Sequence, residues 1–209
     1  MRPRLGVAAA AVAVSILLST TARAYTVLGY IWSQGSMKYY VNPANMDLPQ
    51  SAIVPALQAG ANAWQQAGTS FTFTYAGTTG ITTNTFDSTN VVMFRNAASG
   101  SAIATTYSWF SGGSIVDADI VFWDAGFQFF TGSSGCAGGF YIEDVAAHEF
   151  GHALGLGHST VGAATMYPSI STCSQQSRTL DADDIAAIRS LYSMAPSPLP
   201  RPTGLRIIR

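Results

Sequence analysis

Histidine is nearly missing from this chain of 209 residues: there are three, all between positions 148 and 158. Charge is also scarce, at 10% of residues, with 10 Lys plus Arg against 11 Asp plus Glu. A chain without a basic excess has no patch with which to neutralise phosphates, so nucleic acid is excluded as a partner. No apolar run reaches the ~20 residues of a membrane span; the longest, residues 5–18, is followed by polar sequence. Only two cysteines occur, Cys136 and Cys173. No histidine remains to join them in a second metal site.

The apolar run lies between Arg2 and Arg4 on one side and Ala22-Arg23-Ala24 on the other. A charged start, a short apolar stretch and an AxA cleavage site describe a secretory signal, so residues 1–24 are read as an export address. An uncleaved anchor is the alternative. Export to the extracellular space or periplasm, with Tyr25 as the first mature residue, removes three arginines and leaves 7 Lys plus Arg against 11 Asp plus Glu. No membrane association is expected after cleavage. In an exported chain an even pair of cysteines is most simply a disulfide, with two free thiols as the alternative. At the other end, residues 195–209 (APSPLPRPTGLRIIR) are Pro-rich, lack helical periodicity and read as a tail. Residues 25–194 are then the size of one domain.

What the chain does have is the run HEFGHALGLGH, from His148 to His158. On a helix, residues four apart share a face, so His148 and His152 can direct their imidazoles at one zinc ion. Glu149, one residue on from His148, is placed to take a proton from water at that metal. A continuing helix would carry His158 about 15 Å along its axis from His148, so the chain must turn back. Gly155 sits where the turn is needed, because glycine adopts positive φ without steric cost. His158 then returns from the following loop as third ligand, leaving a fourth position for water.

Around this run, residues 25–41 read as an opening strand. Residues 48–67 read as a helix with Ile53, Leu57, Ala61 and Trp64 on one face and Pro55 tolerated in its first turn. Phe71, Phe73 and Tyr75 alternate with threonines as a second strand, and strand, helix, strand predicts parallel pairing. Residues 90–95 form a third strand. Residues 102–110 and 115–123 are two more, joined by Ser111-Gly112-Gly113-Ser114 as a hairpin or tight connection. The apolar run Ile120–Trp123 suits a strand covered on both faces. The metal-bearing helix is expected over residues 142–154, and a last helix carries Ile185, Ile188, Leu191 and Tyr192 with Asp181, Asp183 and Asp184 at its start. Asp117, Asp119, Asp124, Glu143 and Asp144 are either capping carboxylates or, less readily, oxygen ligands; calcium is possible but no loop spacing indicates it. Phe127, Phe129 and Phe130 belong to the core or cleft rim, with a binding platform as the alternative.

HEFGHALGLGHS followed by ATMYP resembles the zinc sequence and methionine turn of the metzincin zinc peptidases, in their matrixin (matrix metalloproteinase-like) branch. Pro168, two residues after Met166, resembles matrixins rather than relatives with a zinc-binding tyrosine there. RTLDADDIAAIRSLY resembles the closing helix, and GYIWSQGSMKYYV the opening of the catalytic domain. The resemblance implies an α+β, zincin-like fold: a mixed, twisted sheet of about five strands with three helices. It implies a secreted zinc-dependent endopeptidase, with one zinc on His148, His152 and His158 and Glu149 as general base and acid. Met166 would form an apolar floor under the metal, unless it is an ordinary core methionine. Pro168, Ser169 and Ile170 would wall a substrate pocket floored by the loop tethered through Cys136 and Cys173. The Asp183–Asp184 pair would anchor the mature N-terminus and the methionine turn. A protein or peptide substrate would lie extended along the edge strand, residues 102–110, of a monomer.

Three departures from the branch are expected: no histidine for a second zinc, no cysteine-switch propeptide and no following hemopexin-like domain. The rival readings are a secreted, zinc-stabilised binding protein without catalysis, against which Glu149 is retained, and a zinc-dependent amidase, against which the methionine turn argues.

Overall fold

The computed structural model describes residues 23–193. The expected signal (1–24) falls outside this range except for its last two residues, and the expected tail (195–209) falls wholly outside it. Strands are labelled in chain order: β1 (Tyr25–Val27), β2 (Ser36–Asn42), β3 (Thr72–Thr78), β4 (Val91–Arg95), β5 (Ala104–Ser111), β6 (Ser114–Trp123), β7 (Phe129–Phe130), β8 (Phe140–Tyr141) and β9 (Leu156–Ser159). The α-helices are α1 (Gln50–Ala63), α2 (Ile142–Ala153) and α3 (Ala182–Leu191).

Five strands form one mixed sheet in the order β3-β2-β4-β6-β5. The pairs β2/β3, β2/β4 and β4/β6 are parallel, the first joined by the crossover through α1, and β5 runs antiparallel along the β6 edge. β5 turns into β6 through Gly112 and Gly113, both at positive φ (57° and 83°), the conformation of a two-residue hairpin whose twist matches its strands. Every residue of Ile120–Trp123 is buried, because β6 lies inside the sheet between β4 and β5 and is covered on both faces.

One face of the sheet carries the helices. In β2, Met37, Tyr39 and Val41 point into the core while Lys38 points away. Ile53, Leu57, Ala61 and Trp64 form the buried side of α1 and the short 3₁₀ turn that extends it. Helices α1 and α2 touch through backbone: a Cβ on Gly60 would overlap Ala146 and Ala147. Phe150 then pins α2 to the sheet, its ring 5.0 Å from that of Tyr39 and 4.7 Å from that of Phe73.

Three local expectations are corrected. The opening segment is not one strand: it breaks at Gly29 and Gly35, both at positive φ, and β1 leaves the main sheet to pair with β9. Pro55 lies at the sixth residue of α1, past the first turn, where its missing N–H leaves the carbonyl of exposed Ser51 to solvent. His158 belongs not to a loop but to β9, which is held antiparallel against β1.

Candidate metal centre and cleft

Helix α2 presents His148 and His152 one turn apart and ends at the residue before Leu154, with Gly155 at φ 97°. Two aromatic residues fix this ending. Trp32 Nε1 donates to the Ala153 carbonyl (2.8 Å) and Tyr192 Oη to the Leu154 carbonyl (2.8 Å), satisfying acceptors that the helix leaves open. A Cβ on Gly155 would overlap the Tyr30 carbonyl, so positive φ and close approach both require glycine there. The chain reverses into β9, which returns His158 to the other two histidines: ring centroids are 4.7, 4.9 and 5.3 Å apart. One ring nitrogen from each lies within 4.8 Å of the others, the one such cluster among the described residues.

Tautomers decide whether such a cluster can bind a metal. His148 Nδ1 lies 2.7 Å from the Thr165 carbonyl and His152 Nδ1 lies 2.9 Å from the Leu156 carbonyl. A carbonyl only accepts, so each Nδ1 carries the proton and each Nε2 is a free lone pair, the arrangement seen when a second group orients a metal-ligating imidazole. Burial lowers the pKa of both rings to about 4, opposed by the carbonyl contacts, and burial also lowers that of His158. Neutral nitrogen donors of this kind fit a divalent metal with one position left open.

Glu149 is buried between α2 and the edge strand, and burial raises its pKa against the opposing pull of His152 and Thr106. Its Oε2 accepts from Thr106 Oγ1 at 2.6 Å, a contact that the sequence reading missed. The alternation of β5 places every second side chain toward α2, but choosing Thr106 requires the register of β5 on β6, in which Thr106 faces Ile120.

Met166 is buried, with its sulfur against Gly151 of α2. Asp184 holds the turn that carries it: its carboxylate accepts from Thr165 N (2.7 Å), Met166 N (3.1 Å) and Asp181 N (2.9 Å). Asp183 instead accepts from Ser159 Oγ (2.6 Å), tying α3 to β9. Cys136 and Cys173 are bonded, with Cα atoms 5.5 Å apart.

The other carboxylates cap backbone. Asp117 accepts from Asp87 N and Ser88 N, Asp119 from Val91 N, Asp124 from Met46 N, and Glu143 from Gly132 N. Asp144 is buried and accepts from Ser177 N and Arg178 Nε, the latter at 2.6 Å. Phe129 lies in the core and Phe127 on the cleft.

A cleft of about 730 Å³ runs past the three histidines and Glu149, between β5 and the segment Pro168, Ser169 and Ile170. Its upper wall is the free edge of the sheet. Among the described residues no helix is long and apolar enough to cross a membrane.

Comparison with known proteins agrees with this geometry. The chain is 52% identical over 60 residues to matrix metalloproteinase-18 of Xenopus laevis, covering 29% of this chain and 13% of that protein. It is 55% identical over 62 residues to the hatching enzyme of Paracentrotus lividus (30% and 10%) and 45% identical over 60 residues to human neutrophil collagenase (29% and 13%). The matched stretches therefore span only about a tenth to an eighth of these relatives. The family model described as Matrixin reaches much further along this chain, matching residues 31–193 and so taking in the sheet, all three helices, the histidine cluster and the methionine turn. The chain belongs to the matrixin family.

Proposed function

We propose that this protein is a secreted, zinc-dependent endopeptidase whose catalytic domain occupies residues 25–194. The observation that carries the reading is the convergence of three neutral imidazoles within 4.8 Å beside a buried carboxylate, on the floor of a cleft bordered by a free strand edge. Zinc is the metal of choice for three nitrogen donors and an open position. When bound it supplies Lewis acidity, polarising a carbonyl and acidifying water to a pKa near ~7.

The chain's own groups do the rest. Edge strand β5 receives an extended substrate by backbone pairing, which aligns the scissile bond along the cleft. Glu149 takes a proton from the attacking water and passes it to the leaving amine. Its burial favours holding that proton between the two steps. Pro168, Ser169 and Ile170 form the side-chain pocket beyond the scissile bond, of medium size and accepting apolar groups. Met166, buried against Gly151 of α2, is the residue assigned to the apolar floor beneath the metal position.

Cleavage of a denatured protein by the mature chain tests this. Activity should vanish with a zinc chelator, return on adding zinc, and be lost in Glu149→Gln with zinc binding retained. Chelator-insensitive cleavage would count against the whole reading; zinc binding with no cleavage by the wild type would leave a zinc-stabilised binding protein.

A further inference from the structure

The geometry points to Thr106 as the positioning residue that assigns separate roles to the two oxygens of Glu149. This inference rests on the peptidase reading above and deepens it. The Thr106 hydroxyl has one proton and two acceptors within reach, both on Glu149: Oε2 at 2.6 Å and the backbone carbonyl at 3.0 Å. A hydroxyl bonded to a carboxylate makes the shorter and stronger contact, so Oε2 holds the proton and the carbonyl is the fallback. The contact to Oε2 ties the Glu149 side chain to β5 and fixes its rotamer. No described residue donates to Oε1, and Oε1 is not one of the buried polar atoms left without a partner, so it opens on the cleft. Oε1 is then the oxygen that exchanges the proton, and Oε2 the one that is held.

The arrangement survives a catalytic cycle. With Glu149 ionised, Thr106 donates to Oε2. Once Oε1 has gained a proton, Oε2 is a neutral carbonyl oxygen and still accepts from the same hydroxyl. Thr106 neither gains nor loses a proton. Its own stiffness helps, since a β-branched side chain in a strand has few rotamers. Its backbone belongs to β5, the free edge beside the cleft, so the contact links the orientation of the base to the strand on which substrate would pair.

Thr106→Val keeps the shape and removes the hydroxyl; Thr106→Ser keeps the hydroxyl. The Val variant should lower kcat by about 10-fold, a misplaced base being costly, while KM and the affinity for zinc, measured by chelator competition, change by less than about two-fold. The Ser variant should recover most of kcat. Independently of activity, the infrared carboxylate band of Glu149, identified as the band lost in Glu149→Gln, should shift in the Val variant and return in the Ser variant. An unshifted band, or an unchanged kcat in Thr106→Val, would overturn the assignment while leaving the peptidase reading intact. A band shift in a protein that cleaves nothing in any form would instead sink the peptidase reading, and the role of Thr106 in proton transfer with it. Loss of zinc affinity in the Val variant would make Thr106 a structural support of the metal site and would also refute the proposal.

Discussion

Gly151 and Met166 meet so closely that a methyl group on the glycine would overlap the methionine sulfur, and would also strike the Trp64 ring. This contact joins the metal-bearing helix to the methionine turn with nothing between them. Gly151 directly precedes His152 on that helix, so how closely the turn approaches the helix is set by the absence of one side chain.

Gly151→Ala should therefore act as an overpacking substitution despite its better helix propensity. We expect a loss of about 1–3 kcal/mol and weaker zinc binding, read by thermal melting and chelator competition. A more stable variant with unchanged zinc affinity would show that Met166 and Trp64 yield without disturbing the site.

Asp184→Ala should be more severe. The buried carboxylate accepts from the backbone N–H groups of Thr165 and Met166, and its loss leaves both without partners. Each orphaned buried donor costs about 1–3 kcal/mol. Thr165 also supplies the carbonyl that orients His148, so zinc affinity should fall together with stability. Equilibrium unfolding and metal competition on the same variant would check the pairing of the two losses.

Asp119 gives stability a pH dependence of determined sign. Burial first, then repulsion from Asp117 and Asp87, raises its carboxyl to about 7 against the lowering effect of the Val91 amide. In the unfolded chain it ionises near ~4. Between these values the unfolded state has released a proton that the folded state keeps, so the contribution of Asp119 to stability falls as pH rises from about 4 to about 7 and is constant above. Asp119→Asn keeps an acceptor for Val91 N and removes the titration. Its stability relative to wild type should be close to zero near pH 4 and rise to on the order of 4 kcal/mol at pH 8. A difference that does not vary with pH in urea titrations would contradict the shift.

The bond between Cys136 and Cys173 ties the segment before α2 to the loop after the methionine turn, where Cys173 N also donates to the Gly139 carbonyl. Replacing both cysteines by alanine should cost about 2–4 kcal/mol. Because that loop continues from Pro168, Ser169 and Ile170 along the cleft, KM for peptide substrates should rise more than kcat falls. Melting curves and steady-state kinetics on the double variant separate the two effects.

Much of the site is legible in the sequence because it is local. The four-residue spacing of His148 and His152 follows from helical periodicity, and Gly155 marks the end of α2 because only a residue tolerant of positive φ can make that reversal. Likewise the alternation of β3 and the buried stripe of α1 need no knowledge of partners. The break at Gly29 and Gly35 is not legible locally, since residues 25–41 are rich in strand-forming side chains and nothing local says that β1 pairs with β9. Pro55 is misplaced for a different reason: apolar periodicity locates the buried face of α1 but not its first residue, and with Pro49 at the N-cap position the first turn ends before Pro55.

The sequence alone determined most of the helices and main-sheet strands and the shared face of His148 and His152, because each depends on contacts within one turn or one strand. Tertiary structure decided what crosses between elements. It placed His158 on a strand by pairing β9 with β1, gave His148 its tautomer through the Thr165 carbonyl, and brought the Thr106 hydroxyl from β5 onto Glu149. Those contacts join residues from 17 positions apart to 134 (Tyr25 and Ser159, 159 − 25) and depend on strand register and helix packing, which no local pattern encodes.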